Sequence, residues 1–165
     1  MAKIRILGID PGLNITGYGV LDVAGSEIEL IEAGVVRSLQ SKEIGKRLHS
    51  LYSGIKEVIE SLTPDCLSLE ELYSHYERPR TAIIMGHARG VICLAAAQSN
   101  LPVFHFGATQ VKKVLTGNGR APKTQVQLAV TRHLNLPAMP DPPDVADALA
   151  LALCHYYLNL RTPQS

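Results

Sequence analysis

Acidic residues are missing from a long stretch of this 165-residue chain. From Arg78 to Pro140 there is none, against eight basic residues: Arg78, Arg80, Arg89, Lys112, Lys113, Arg120, Lys123 and Arg132. Residues 1–77, by contrast, hold twelve acidic and seven basic residues. The formal net charge of +1, taken whole, argues for neither a nucleic-acid nor a membrane partner. Its segregation along the chain argues for a polyanion. Tryptophan is absent and there are only two phenylalanines, so platforms for stacking bases are scarce. Three cysteines, Cys66, Cys93 and Cys154, are odd in number and far apart. They read as small buried hydrophobes in a reducing, cytoplasmic setting, not as a disulfide frame or zinc site. No unbroken apolar run approaches the eighteen or so residues of a membrane span. The start, Met1 to Ile6, reads directly as a strand with no signal-peptide pattern.

What is present is the composition of a globular domain, with 46% hydrophobic and 19% charged residues. The length suits one domain spanning residues 1–165, which buries about 70% of its unfolded surface. Lys3 to Asp10 is an apolar strand ending in Asp10-Pro11-Gly12, a sequence that fits a type II turn. Ile15 to Val23 and Glu27 to Arg37 complete an antiparallel meander. A helix from about Lys42 to Leu62 carries Ile44, Leu48, Leu51, Ile55, Val58, Ile59 and Leu62 at helical spacing, and Thr63-Pro64 stops it. Asp65 to Glu70 is a short inner strand. A polar loop then leads through Pro79 into a helix reaching about Ser99, and Pro102 to Phe106 is the last strand. Helices at about Ala108–Leu115, Pro122–Leu134 and Asp144–Leu160 follow. The order predicts an α/β fold in which helices flank a mixed five-stranded sheet.

Four carboxylates stand out. Asp10 ends the first strand and Glu70 the fourth, and in an open α/β sheet the carboxyl ends of the strands form the usual ligand crevice. Each alone is also explained by a turn or a strand end. Asp144 follows Pro142-Pro143 as a natural helix N-cap, and Asp147 suits the positive end of the helix dipole. Spacing of three places both on one helix face. The helix continues Val145, Ala146, Ala148, Leu149, Ala150, Leu151, apolar nearly all round and therefore buried, where an unpaired carboxylate is costly. Two unit charges 4 Å apart repel by roughly 4 kcal/mol at an effective dielectric of 20. If the four meet, they need cations, and hard oxygen donors select Mg²⁺ or Mn²⁺. Carboxylates holding such ions are a usual device for phosphodiester hydrolysis. The acid-free segment supplies the counterpart for a nucleic-acid backbone.

Gly8-Ile9-Asp10-Pro11-Gly12, Thr16-Gly17-Tyr18-Gly19, Leu69-Glu70-Glu71, Gly86-His87-Ala88-Arg89-Gly90, Gln110-Val111-Lys112, Lys123-Thr124-Gln125-Val126 and Asp144-Val145-Ala146-Asp147-Ala148-Leu149-Ala150 together resemble the RuvC family of Holliday-junction resolvases. The likeness spans nearly the whole chain in order and spacing. It implies a ribonuclease-H-like fold, a homodimer, and paired Mg²⁺-dependent nicking of four-way DNA junctions in recombination and repair, with Mn²⁺ substituting. It also implies a cytoplasmic enzyme that cooperates with the RuvA–RuvB branch-migration complex. By the same resemblance Asp10, Glu70, Asp144 and Asp147 are the catalytic, metal-holding acids, and Asp141 is not one of them. Lys112 and Lys123 align with positions that contact DNA near the scissile phosphate. Tyr73 stands where the family can place an aromatic, often Phe, that acts at the junction centre.

Lys113 and Arg120 are second-rank phosphate contacts, and Arg78 and Arg80 flank Pro79 at a helix start near the proposed site. The six histidines form no metal-spacing pair; His155 lies about 16 Å along the helix axis from Asp144. Gly119 to Thr124 mimics a phosphate loop without the glycine before its lysine, so nucleotide binding there is rejected. Gly86 and Gly90 have the spacing of close helix packing, within the fold or between subunits. Two other functions remain as alternatives, a nuclease on the same scaffold acting on RNA or another branched substrate and a non-catalytic junction-binding module; a third, an actin-like kinase, is set aside because one short domain is insufficient. The last shares the Ile-Asp-x-Gly opening but needs two lobes.

Overall fold

A computed structural model of the chain describes residues 2–12, 14–71 and 78–161. The first three strands, β1 (Ile4–Asp10), β2 (Ile15–Ala24) and β3 (Glu27–Arg37), form the expected antiparallel meander. Helix α1 (Ile44–Leu62) crosses over to β4 (Cys66–Glu70), and α2 (Pro79–Gln98) crosses over to β5 (Val103–Phe106). Both crossovers give parallel pairs, β4 beside β1 and β5 beside β4, so the sheet order is β3-β2-β1-β4-β5. Three helices follow: α3 (Ala108–Thr116), α4 (Lys123–His133) and α5 (Pro143–His155).

Strand alternation divides the core into two layers. On one face Leu7, Ile9, Val20, Leu67 and Leu69 pack against α1 and α2. On the other, Ile6, Leu21, Val23, Cys66 and Phe106 meet α3, α4 and α5. Helix α5 is the centre of that second layer. It is buried from Val145 to His155 apart from Asp147, because it is covered by the sheet below and by α3 and α4 above. It lies unusually close to the strands. A methyl at Gly8 would sit 2.0 Å from the Ala148 carbonyl oxygen, and one at Gly17 would sit 2.1 Å from that of Asp144. These two glycines let α5 rest on the backbone of β1 and β2.

The end of the sheet opposite Asp10 is held by a charged clamp. Arg5 donates from Nε and Nη2 to the two carboxylate oxygens of Asp22, at 2.7 and 2.8 Å, and from Nη1 to the Leu62 carbonyl at 2.8 Å. One guanidinium thus ties β1, β2 and the end of α1, and it holds the Asp22 carboxyl below the usual carboxylate range.

Several local expectations are corrected. Among the described residues, the glycines with positive φ are Gly25 and Gly117, so Gly12 does not make a type II turn. Its need is space, since a methyl there would lie 2.0 Å from the Ile15 carbonyl oxygen. The N-cap of α5 is Pro142, with Asp144 in the first turn. Proline fits the start of a helix because its missing N–H has no partner there in any case. The last helix does not run evenly to Leu160. After His155 it widens into a π-helical turn over Tyr156–Leu160, closed by the Arg161 N–H donating to the Tyr156 carbonyl at 2.8 Å. Among the described residues nothing lies within 4 Å of a methyl placed on Gly86 or Gly90, so neither shows the close packing within the fold that their spacing suggested. Finally, α2 is by length and composition alone apolar enough to cross a bilayer, with a mean hydropathy of 1.2 over 18 residues. Counting unbroken apolar runs missed this because Arg80, His87 and Arg89 interrupt them. Its inner face, Ala88, Ile92, Ala95 and Ala96, is packed into the core.

Candidate active site

The register Ile9↔Leu69 places Asp10 and Glu70 side by side at the carboxyl ends of two parallel strands. Parity decides their direction: Gly8 and Asp10 on β1, like Ser68 and Glu70 on β4, share the face that meets α5. Helix α5 then presents Asp147 toward the same place, one turn in from its start. The three carboxylates line one cavity of about 270 Å³, floored by Val111, Val126 and Leu151 and bordered by Lys112 and Lys123.

The electrostatics of the cluster are those of an uncompensated acid site. Burial, followed by the charges of Asp147, Glu70 and Asp144, pushes the Asp10 carboxyl up to about 8. Burial and Asp147 raise Glu70 as well. Asp147 is raised by burial, opposed by the ammonium of Lys123, whose Nζ lies 2.9 Å from Oδ2 of Asp147. The same contact raises Lys123. Lys123 acts on all three acids, and Arg89 and Lys112 also oppose the rise of Glu70, but burial and mutual repulsion prevail.

Asp144 stands at the edge of this arrangement. It does not line the cavity, but its charge acts on Asp10 and its carbonyl rests against Gly17 of β2. Asp141 is exposed in the connection before α5. Among the described residues, no three acidic, His or Cys side chains stand close enough to cage a metal ion as they are. The donor set nevertheless fits a hard divalent cation. It is all carboxylate, it has room for water alongside, and the raised acids report a deficit of positive charge.

Of the basic residues, Lys112 on α3 and Lys123 at the start of α4 reach the cavity. Lys113 is exposed on the outer side of α3, and Arg120 is exposed in the α3–α4 connection, where its N–H donates to Oδ1 of Asn118 at 2.9 Å. Arg78 is the N-cap of α2 and Arg80 is exposed in its first turn. Tyr73 lies outside the described residues.

Sequence reasoning counted Arg89 as one base among eight and as part of one motif of the resemblance, and gave it no role at the site. In the fold it donates from Nη1 to the carbonyl of Glu70, and its Nη2 lies 3.2 Å from Nδ1 of His105. It thus pins the end of β4, where Glu70 sits, to α2 and β5. The available signal was its place beside Ala88 and three residues before Ile92, both on the buried face of α2.

Comparison with known proteins accords with this geometry. Residues 6–155 match the family model described as crossover junction endodeoxyribonuclease RuvC. A curated RuvC of Rhodopirellula baltica is 58% identical over 153 residues, covering 93% of this chain and 86% of the relative. The RuvC of Pelotomaculum thermopropionicum is 47% identical over 150 residues, 91% of both. Among solved structures, Thermus thermophilus RuvC in complex with a Holliday junction substrate superposes with a TM-score of 0.86 at 34% identity, covering 93% of each chain. The yeast mitochondrial Holliday junction resolvase shares the fold, with a TM-score of 0.66 at 11% identity over 92% of this chain and 78% of its own. The chain belongs to the RuvC family of crossover junction endodeoxyribonucleases, with their ribonuclease-H-like fold.

Proposed function

We propose that this chain resolves four-way DNA junctions by paired hydrolytic nicks, and that Asp10, Glu70, Asp144 and Asp147 hold the Mg²⁺ that the reaction uses, with Mn²⁺ able to substitute. The observation that carries this reading is a single cavity where three carboxylates from three distant segments meet two lysines of the acid-free stretch. Divalent ions bound there would supply Lewis acidity toward a phosphate oxygen and an easily deprotonated water. The protein's own part is positioning. Arg89 holds the end of β4 and so the Glu70 backbone. Lys112 and Lys123 face the place where a scissile phosphate would sit, and oppose the charge that grows on its oxygens. Lys113, Arg120, Arg78 and Arg80 are proposed to meet the flanking DNA, and Tyr73 to help distort or stack at the crossover.

Two nicks need two sites, and a two-fold dimer is the economical way to supply them. The outward stripe of α2 suits a second copy of this chain. Ile83 and Leu94 are 62% and 52% exposed, and Gly86 and Gly90 between them leave room for close approach of another helix. The family likeness adds cooperation with the RuvA–RuvB complex in the cytoplasm.

The test compares nicking of a synthetic four-way junction, a linear duplex and an RNA–DNA hybrid, with Mg²⁺ titrated against chelator. Junction-selective, chelator-sensitive cleavage that Asp147→Asn abolishes is expected. Equal cleavage of all three substrates, or full activity of the variant, overturns the reading.

A further inference from the structure

The seven bases of residues 1–77 are not scattered once the chain is folded. Lys3 and Arg5 lie at the far end of the sheet, on Asp22, and Lys56 lies over the Tyr52 ring midway along α1. The other four, Arg37, Lys42, Lys46 and Arg47, gather at the end where Asp10 emerges. Antiparallel pairing puts them there. Asp10 pairs with Gly17, Gly17 with Val35, and Arg37 comes two residues after Val35 at the end of β3. Two strand spacings and two residues of rise separate Arg37 from Asp10 by about 12 Å between Cα atoms.

The connection from β3 to α1 is built onto the turn that follows Asp10. The Ser38 N–H donates to the Asn14 carbonyl at 3.0 Å, and Nη2 of Arg47 donates to Oδ1 of Asn14 at 3.3 Å. Ser50 Oγ accepts from the Leu39 N–H at 2.9 Å. Between these anchors opens a cleft of about 330 Å³ lined, among the described residues, by the polar and basic Asn14, Gln40, Ser41, Lys42 and Arg47. Arg37 and Lys42 are exposed. The sole acid between residues 33 and 56 is Glu43, which Lys46 neutralises at 3.2 Å. Asp10, Glu70 and Glu71 belong to the acid cavity's end of the sheet, and the other described acids of this half lie away from the rim. Glu27 and Glu29 flank the β2–β3 turn at the far end of the sheet. Glu57 and Glu60 are in the last turns of α1, and Glu32 accepts the Tyr18 hydroxyl proton.

We propose that this rim, Arg37 to Arg47, is a second DNA-binding surface. On it a duplex arm of the substrate lies, on the opposite side of the acid cavity from Lys112 and Lys123. It rests on the junction-nuclease reading above. Duplex DNA presents one phosphate per 3.4 Å along each strand. A patch about 12 Å from Asp10 therefore meets phosphates about three to four nucleotides from the cut. The linear tally of charge hid this surface, because its four bases are averaged with the acids of the cavity and with others that the fold sends away from the rim.

The experiment measures binding of the full chain to a fixed four-way junction against salt concentration, in Ca²⁺ or chelator to prevent cutting. The Arg37→Ala/Lys42→Ala double variant is compared with Lys3→Ala/Lys56→Ala, which removes the same charge elsewhere. Loss of two phosphate contacts flattens the log–log salt slope by about 1.8. The affinity that wild type loses between 50 and 200 mM salt is then smaller by about tenfold in the rim variant. The slope of the control stays at the wild-type value, and Arg37→Lys/Lys42→Arg restores the rim slope. An unchanged slope in the rim variant, or equal flattening in the control, overturns the inference. Failure of wild type to bind the junction overturns the junction reading itself.

Discussion

Replacing Asp10 by Asn is expected to stabilise the metal-free protein while removing one acid of the proposed metal site. Asp10 titrates near 3.8 when unfolded and at about 8 in the folded chain. The folded state therefore binds this proton more tightly, and the contribution of Asp10 to stability is greatest below pH 4, falls through the interval between the two values, and levels off above pH 8. The slope within the interval is about 1.4 kcal/mol per pH unit. At pH 7 the ionisable acid has cost about 4 kcal/mol relative to a neutral side chain of the same shape. For a domain of this size each kcal/mol moves Tm by about 2–4 °C, so Asp10→Asn raises Tm by roughly 10 °C at pH 7 in chelator. The assay is a set of thermal melts from pH 5 to pH 9, with chelator or with Mg²⁺. In chelator, wild type loses Tm as pH rises toward 8 and the variant loses less, retaining only the dependence due to Glu70 and Asp147. With saturating Mg²⁺ the wild type recovers and the variant gains little. A variant that melts at or below wild type in chelator at pH 7, together with a flat wild-type profile between pH 5 and 8, refutes the picture of an overcharged acid cluster.

Three further expectations follow from the same structure. Because the raised carboxyls must be ionised to hold a cation, Mg²⁺ binding at pH 7 releases protons, about one from Asp10 alone; calorimetry in buffers of different ionisation enthalpy reads this directly, and heat independent of the buffer contradicts it. Asp22→Ala strands Arg5 between β1, β2 and α1 and costs about 3 kcal/mol in a denaturant melt. Since the Asp22 carboxyl is held low, that contribution is present above its unfolded value near 3.8 and is lost as pH falls through the lower folded value; a wild-type-like midpoint for the variant removes the clamp from the account. Gly8→Ala forces α5 off β1, where the Ala148 carbonyl stands 2.0 Å from the new methyl; a loss of about 3 kcal/mol with weakened Mg²⁺ stabilisation is expected, and an unchanged denaturation midpoint contradicts it.

Much of this was legible in the sequence because it depends on local patterning. Alternation along β1 and β4 tells which way Asp10 and Glu70 point, and the unbroken apolar run after Asp144 tells that Asp147 is carried on a buried helix. The seven-residue stripe of α1 gave its extent to within two residues at the start. What was not legible depends on partners distant in the chain. Gly8 and Gly17 read as strand glycines until α5 is seen lying on them. Arg89 read as one more surface base until its guanidinium is found on the Glu70 carbonyl. The widening at Tyr156 leaves no trace in apolar spacing, because the π turn is set by where Tyr156 and Tyr157 find the Gly25 carbonyl and His133. The rim at Arg37 to Arg47 was missed for the same reason. Its bases come together with Asp10 through the pairing of three strands, which a count along the chain cannot register.

The close seat of α5 on β1 and β2 also bears on when in the life of the chain a cutting centre can exist. The acids come from positions 10, 70, 144 and 147, and the last two arrive on the helix whose docking closes one layer of the core. A growing chain still tethered at its ribosome, or one trapped before that helix docks, has its first two acids and none of the rest. Assembly of the proposed nuclease centre is thus the same event as completion of the fold.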